Sequence, residues 1–239
     1  MSDPVELSLV VPVYDERESL GILVEEIGRA LAGRRYEIVA VDDGSSDGSL
    51  EELKALKRDH PELHVVALAA HAGQTAAFAA GFLAARGRVI ITLDADLQND
   101  PADIPALLEH LQTSGATAVV GFRVNRRDTG WKRLQSRIAN AVRNRLNGET
   151  IQDTGCSLKA FRAEAVRDLP LFNGMHRFLP TLVKMRGGTV TETPVRHRPR
   201  LHGQTKYGMW NRVFRALADA FAVRWMQRRA LRYRVREEV

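Results

Sequence analysis

The first 120 residues alternate between two hydrophobic rhythms. Short runs rich in Val, Ile and Leu fall at residues 7–13, 37–41, 64–68, 89–93 and 118–122. Each has the length and composition of a buried β-strand. Between them, apolar positions recur at helical spacing near residues 19–31, 49–58, 75–85 and 103–112. Repeated strand–helix–strand crossovers between strands this apolar predict an α/β fold, a mostly parallel sheet flanked by helices. The helix near residue 103 opens after Pro101, a favoured first-turn residue, with acidic side chains at its positive end.

After Phe122 the rhythm breaks. Residues 123–130 read as a polar loop and 131–146 as a basic helix, and short strands around 157–161 and 189–194 are expected to extend the sheet. The polar stretch 196–207, interrupted by Pro199 and Gly203, reads as a second functional loop. The α/β domain is thus expected over residues 1–207, with a separate helical segment at 208–239. In that segment Trp210, Val213, Phe214, Leu217, Phe221 and Trp225 recur at spacings of three or four and form one apolar stripe. Arg212, Arg215, Arg224, Arg228, Arg229 and Arg232 occupy much of the remaining surface. A basic amphipathic helix with Trp at its boundary fits a membrane interface, where Arg meets anionic lipid. The alternative is a stripe packed on the domain itself or on a second subunit.

Composition narrows the function classes. The chain has 239 residues, and its single cysteine, Cys156, excludes an intrachain disulfide and a Cys-rich zinc site, which suggests a reducing compartment. An aromatic content of 6% disfavours a base-stacking nucleic-acid binder. The N-terminus shows no signal-peptide pattern, so a cytoplasmic location is expected. The longest run free of Asp, Glu, Lys and Arg, residues 63–85, contains His64, His71, Gly73, Gln74, Thr75 and Gly81, and reads as strand, loop and helix rather than a span. The net charge of +6 conceals a polarity. Residues 1–120 hold 9 Lys/Arg against 20 Asp/Glu and residues 121–239 hold 26 against 9, so the halves carry −11 and +17. Such asymmetry suggests an anionic partner for the second half.

The chemistry concentrates at strand ends. The run Val89-Ile90-Ile91-Thr92-Leu93 stops at Asp94-Ala95-Asp96-Leu97-Gln98, two carboxylates spaced i, i+2. Charge buried at a strand end is costly unless something pairs with it. A hard divalent cation is a natural partner, since Mg²⁺ commonly joins one or two carboxylates to substrate phosphates. A solvated acidic turn is the plain alternative. A second acidic end, Asp42-Asp43-Gly44-Ser45-Ser46-Asp47, favours the ligand reading, because open α/β sheets bind ligands beyond their strand tips.

Together with Val11-Pro12-Val13-Tyr14-Asp15-Glu16 and Gly121-Phe122-Arg123, these motifs resemble the family 2 glycosyltransferases of GT-A fold. Asp153-Thr154-Gly155-Cys156, His176-Arg177-Phe178-Leu179-Pro180 and Gly203-Gln204-Thr205-Lys206-Tyr207 narrow the resemblance to the dolichol- and undecaprenyl-phosphate sugar synthases. The resemblance implies that Pro12, Tyr14, Glu16 and Asp43 hold the nucleotide, with Asp42 either sharing that role or serving a cap or turn. It implies Mg²⁺ or Mn²⁺ at Asp94, Asp96 and Gln98, bridging the donor diphosphate. Arg200 and Lys206 would close over the diphosphate, and Arg123, Arg133, Ser136 and Arg137 would cradle the acceptor phosphate. On a helix, Arg133, Ser136 and Arg137 share one face, and Arg grips phosphate bidentately. His71 stands where many relatives carry Asn; its loop either touches the nucleotide or caps the following helix, and capping is the expected role.

A sugar transfer from a nucleotide donor to a polyprenyl phosphate at the inner membrane face follows as the expected activity, with peripheral membrane contact, no nucleic-acid partner and an oligomer allowed. A phosphate nucleophile is already ionised near neutral pH and needs no strong base. In-line attack with inversion is therefore expected, with Asp153 either an orienting or proton-abstracting carboxylate or a structural turn residue. The chain lacks the Gln-x-x-Arg-Trp signature of processive members. Rival readings are a glycosyltransferase with a hydroxyl acceptor and a non-catalytic basic module binding lipid or nucleic acid. A sugar nucleotidyltransferase is disfavoured by the missing glycine-rich, Arg-containing loop after the first strand.

Overall fold

The computed structural model describes residues 5–124, 148–199 and 209–230, the side chains of residues 209–216 excepted. Among the described residues, seven strands form one sheet in the order β3-β2-β1-β4-β6-β5-β7. They are β1 Leu7–Val13, β2 Tyr36–Asp42, β3 Leu63–Ala67, β4 Val89–Thr92, β5 Ala118–Arg123, β6 Lys159–Arg162 and β7 Val190–Val195. The described helices are α1 Arg17–Ala30, α2 Ser49–Asp59, α3 Gln74–Ala84, α4 Ile104–Thr113, α5 Leu179–Met185 and α6 Met209–Arg229. The α/β expectation is met, with one refinement. Both later strands join the sheet, but only β7 adds at its edge; β6 runs antiparallel between β4 and β5. Ala160 and Phe161 of β6 are both fully buried, on opposite faces, as an internal strand requires.

Side-chain alternation builds a core on each face. Leu9, Val11, Ile91, Val119 and Ala160 meet Leu23 and Ile27 of α1 and Leu107 and Leu111 of α4. Val10, Val41, Ile90 and Phe161 meet Phe78 and Phe82 of α3 and Leu179 and Val183 of α5. The helix α6 docks through Ala220 and Val223 onto Met175, Phe178 and Leu182. Its inward face is thus not the large apolar stripe read from the sequence. Phe221 and Trp225 point outward, 60% and 63% exposed, while Trp210, Val213 and Phe214 lie outside the described side chains. The predicted helix at 131–146 also lies outside the described residues.

The strand arrangement opens a crevice at one edge of the sheet. Pairing of β1 with β4 ends at Val10 opposite Thr92, while β1 continues beside β2 to Val13. Pro12, which has no N–H to give, stands where β1 and β4 part. The C-terminal ends of β1, β2, β4, β5 and β7 share this edge with the N-terminal end of antiparallel β6. Every acidic strand end read from the sequence therefore arrives at the same place. At the opposite edge, the buried Glu37 carboxylate accepts from Ser8 Oγ at 2.6 Å and from Arg86 N at 2.7 Å, tying β2 to β1 and to the turn before β4.

Candidate functional site

The loops after β1 and β2 are stitched together by their polar residues. Asp15, at φ 50°, accepts from Ser46 N at 2.7 Å and donates its own N–H to Ser45 Oγ at 3.0 Å. Arg17 N donates to Asp47 and Glu16 N to Ser49 Oγ. Asp42 takes the turn role, accepting from Ser45 N through Oδ2, while its Oδ1 is buried with no hydrogen-bond partner among the described residues. Gly44 has φ +71° and approaches the backbone of residues 70–71 so closely that a Cβ would lie 2.6 Å from His71 N.

Asp43 is buried and holds the 71–73 loop. It accepts from Ala72 N at 2.7 Å and Gly73 N at 2.9 Å, and its Oδ2 lies 2.9 Å from His71 Nδ1. The His71 ring stacks on Tyr14, centroids 4.0 Å apart. The loop supplies Gly73 as the N-cap residue of α3 but no side-chain cap, and the His71 side chain is drawn to the carboxylate of Asp43. Tyr14, His71 and Asp43 thus form one cluster, with Pro12 and Glu16 on the strand and loop that carry Tyr14.

Asp94 and Asp96 follow β4 across a tight turn in which Leu97 takes φ 60°, a costly conformation for a non-glycine residue. Asp96 is buried and accepts from Gln98 N at 3.1 Å. Asp94 is half-buried and accepts from Gln74 Nε2 at 2.8 Å. Burial first, then the charge of Asp96, pushes Asp94 up to about 6, against the opposing pull of Ser157, Lys159 and Arg123. Among the described residues no group of three His, Cys, Asp or Glu side chains forms a complete metal cage. Two neighbouring carboxylates, Asp94 raised in part by the charge of Asp96, nevertheless suit a hard divalent cation such as Mg²⁺ or Mn²⁺. Gln98 is half-buried, and its backbone carbonyl accepts from Arg198 N at 2.8 Å.

Arg123 and Asp153 meet as a largely buried pair. Arg123 Nε and Nη2 donate to Asp153 Oδ2 and Oδ1 at 2.6 and 2.9 Å, and Asp153 also accepts from Gly155 N at 3.2 Å. Beneath them stands Lys159, 4% exposed, a residue that sequence reasoning passed over. It pairs in register with Thr92 and Val120, and its Nζ donates to the Cys156 carbonyl. Burial pulls Lys159 below the usual lysine range, while Cys156, Asp94 and Asp153 act upward. The Cys156 thiol is raised to about 11 by burial, so it stays protonated.

The described start of the second predicted loop is anchored rather than free. Arg196 donates to Asp103 through N and Nε at 2.6 and 2.8 Å, and Arg198 spans Glu26 at 2.8 Å and Asp100 at 2.7 Å. Arg200 and Lys206 lie outside the described residues, as do Arg133, Ser136 and Arg137. The structure therefore brings together Pro12, Tyr14, Glu16, Asp43, Asp94, Asp96, Gln98, Arg123 and Asp153 at one sheet edge, and adds His71, Gln74 and Lys159.

Comparison with known proteins agrees with this layout. The model of the family described as "Glycosyl transferase family 2" matches residues 8–170. The dodecaprenyl-phosphate galacturonate synthase of Rhizobium johnstonii is 41% identical over 236 residues, covering 95% of this chain and 70% of its own. The undecaprenyl-phosphate 4-deoxy-4-formamido-L-arabinose transferase of Edwardsiella ictaluri is 39% identical over 206 residues, covering 85% of this chain and 63% of its own. The chain thus spans 63–70% of the length of these two relatives. In fold it is similar to the glucosyl-3-phosphoglycerate synthase of Mycobacterium tuberculosis in complex with Mn²⁺, UDP and glucosyl-3-phosphoglycerate. That match has a TM-score of 0.70 at 17% identity and covers 93% of this chain and 80% of the other. A mannosyltransferase of Pyrobaculum calidifontis in complex with GDP-Man and Mn²⁺ gives 0.67 at 20% identity, covering 92% and 64%. With its acidic strand ends gathered at the opening between β1 and β4, and a family model spanning most of the sheet, the chain belongs to glycosyl transferase family 2.

Proposed function

We propose that this protein moves a sugar from a nucleotide-diphosphate donor to a polyprenyl phosphate, with inversion at the anomeric carbon, at the inner face of the cytoplasmic membrane. The observation that carries the reading is the convergence of the Tyr14–His71–Asp43 cluster, the Asp94–Asp96 pair and the Arg123–Asp153 pair on one sheet edge. The polyprenyl-phosphate acceptors in the relatives' names support it.

In this reading Pro12, Tyr14, Glu16 and Asp43 hold the nucleotide, and the unpaired Oδ1 of Asp42 is a buried acceptor that a ligand N–H or O–H could satisfy. Asp94, Asp96 and Gln98 hold Mg²⁺ or Mn²⁺, which when bound stabilises negative charge developing on the leaving diphosphate. Arg200 and Lys206 are assigned to the diphosphate, and Arg133, Ser136 and Arg137, with Arg123, to the acceptor phosphate. Asp153 accepts two hydrogen bonds from one guanidinium and a third from Gly155 N, so it orients Arg123 and is poorly placed to abstract a proton. That state suits a phosphate acceptor, which brings its own ionised oxygen, better than an alcohol. Peripheral membrane contact is assigned to α6, whose Phe221 and Trp225 stand exposed one turn apart on a helix carrying Arg224, Arg228 and Arg229. Among the described residues no helix is long and apolar enough to cross a membrane.

The test is a panel of UDP- and GDP-sugars with undecaprenyl phosphate, Mn²⁺ and detergent. Release of nucleoside diphosphate that depends on both lipid phosphate and one donor is the expected result. Release that depends instead on a hydroxyl acceptor would overturn the acceptor assignment.

A further inference from the structure

Asp94 is held from outside the acidic motif. Its partner Gln74 is the first residue of α3 and donates through Nε2 to Asp94 Oδ1 at 2.8 Å. The next residue, Thr75, is buried and serves a different part of the chain. Thr75 Oγ1 accepts from Gly174 N at 2.9 Å and lies 2.8 Å from His176 Nδ1. Burial, with help from Arg177 and Lys159, pushes His176 down to about 3, so the hydroxyl meets a neutral ring.

Helix starts are commonly fixed by a side-chain cap, and α3 has none. Asp43 holds the residues just before it, through Ala72 N and Gly73 N, and the first turn itself is fixed laterally, by the grip of Thr75 on residues 174–176. That segment is itself supported by α6. Gly174 takes φ +95°, and a Cβ there would lie 2.4 Å from Asp219 Oδ2, while Met175 and Phe178 share a buried cluster with Ala220 and Val223. A continuous set of contacts thus runs from α6 through Gly174 and Thr75 to Gln74 and Asp94.

The chemistry of Gln74 fits a holding role. Two carboxylates two residues apart repel each other before a cation arrives. A lysine in place of Gln74 would hold Asp94 but would compete with the incoming cation. A neutral amide fixes one carboxylate oxygen and adds no charge.

We propose that Gln74 and Thr75 are positioning residues for the cation site, Gln74 by fixing the Asp94 carboxylate and Thr75 by fixing the helix start that carries Gln74. The inference rests on reading Asp94 and Asp96 as cation ligands. Its test is Mn²⁺ binding to the full chain without substrates, measured by calorimetry and by the electron paramagnetic resonance of free Mn²⁺. Wild type is compared with Gln74→Met, Thr75→Val, Thr75→Ser and Asp96→Ala. Gln74→Met and Thr75→Val are expected to weaken Mn²⁺ binding about tenfold, the order of one hydrogen bond to a charged group. Thr75→Ser, which keeps the hydroxyl, is expected to stay within about twofold of wild type on the same reasoning. The Mn²⁺ concentration for half-maximal turnover should rise in step, with the acceptor KM unchanged. If wild type binds Mn²⁺, Asp96→Ala does not, and both Gln74→Met and Thr75→Val bind like wild type, the inference is wrong. If wild type and Asp96→Ala bind alike, the cation reading fails instead. Thermal melts separate a folding defect in Thr75→Val from a local one, and Gln74→Met, at a half-buried position, decides the matter if Thr75→Val unfolds.

Discussion

Under the proposed function, cation affinity should depend on pH in a range where ordinary aspartates are already ionised. Asp94 is pushed up from 3.8 to about 6, by burial and then by the charge of Asp96. That rise corresponds to roughly 3 kcal/mol in favour of the protonated carboxyl. The sign follows from proton counting. Between about pH 4 and 6 the metal-free folded protein keeps a proton that the unfolded chain has released, so its stability falls as pH rises through that window and levels off above it. A divalent cation requires the ionised carboxylate and must displace the proton. Apparent Mn²⁺ affinity should therefore fall about tenfold for each pH unit below 6 and be nearly flat above 7. Calorimetric Mn²⁺ titrations in two buffers of different ionisation enthalpy count the protons released. About 0.9 proton per cation is expected at pH 5 and almost none at pH 8. Thermal melts should show the matching pattern, with Mn²⁺ stabilising the fold more at pH 7 than at pH 5. An affinity that is level from pH 5 to 7, with no buffer-dependent heat, would refute the claim that burial and Asp96 hold a proton on Asp94.

The remaining expectations concern the walls of the site and the docking helix. Arg123→Ala leaves the Asp153 carboxylate buried without its bidentate partner and should cost about 3–5 kcal/mol in denaturant unfolding, the usual range for breaking a buried pair. Gly44→Ala places a Cβ 2.6 Å from His71 N at a φ of +71° and should cost at least about 2 kcal/mol, with weaker nucleotide binding because the Asp43–His71 contact is displaced. Replacing Phe221 and Trp225 together by Ser should abolish most sedimentation with anionic liposomes while leaving donor binding and thermal stability unchanged, since both side chains already face solvent. Unaltered sedimentation of that variant would remove α6 from the membrane contact.

Strand and helix positions were legible because each strand is a β-branched apolar run bounded by polar turns, and Asp43, Asp94 and Asp96 were legible because they end such runs. What the sequence concealed is pairing across distance. Arg123 and Asp153 each read as separate site residues, and only the antiparallel insertion of β6 between β4 and β5 sets them side by side. The same insertion buries Lys159, which in a short strand pattern looks like a solvent-facing position. Gln74 escaped notice because an uncharged residue at a helix start reads as a plain first-turn residue. The loop of His71 was expected to cap α3, and its Gly73 does stand at the helix start; the pairing of the His71 ring with the buried Asp43 carboxylate was not legible. In α6 the periodicity was readable and its inward side was not. Ala220 and Val223 pack because they are small enough for close approach, whereas hydropathy favours the larger Phe221 and Trp225, which stay outside.

The division of charge along the chain acquires a physical meaning at the sheet edge. The acidic first half supplies Asp42, Asp43, Asp94 and Asp96 to the crevice, and the nearest described cations do not neutralise them at the surface. Arg123 is paired with Asp153, and Lys159 lies deeper with its ammonium on a backbone carbonyl. A bare diphosphate would meet repulsion in such a crevice. Under the proposed function, donor and cation must therefore arrive together or cation first, because until Arg200 and Lys206 close over the diphosphate only the cation reverses the sign of the field that the leaving group meets. The acceptor phosphate carries no cation of its own, and in the proposed function the basic second half supplies Arg133 and Arg137 to receive it. Donor affinity should consequently collapse when the cation is removed, whereas binding of the lipid phosphate should persist and weaken mainly with salt. Equal loss of both on chelation would mean that the two phosphates share one cation, and the separation of roles between the halves would not hold.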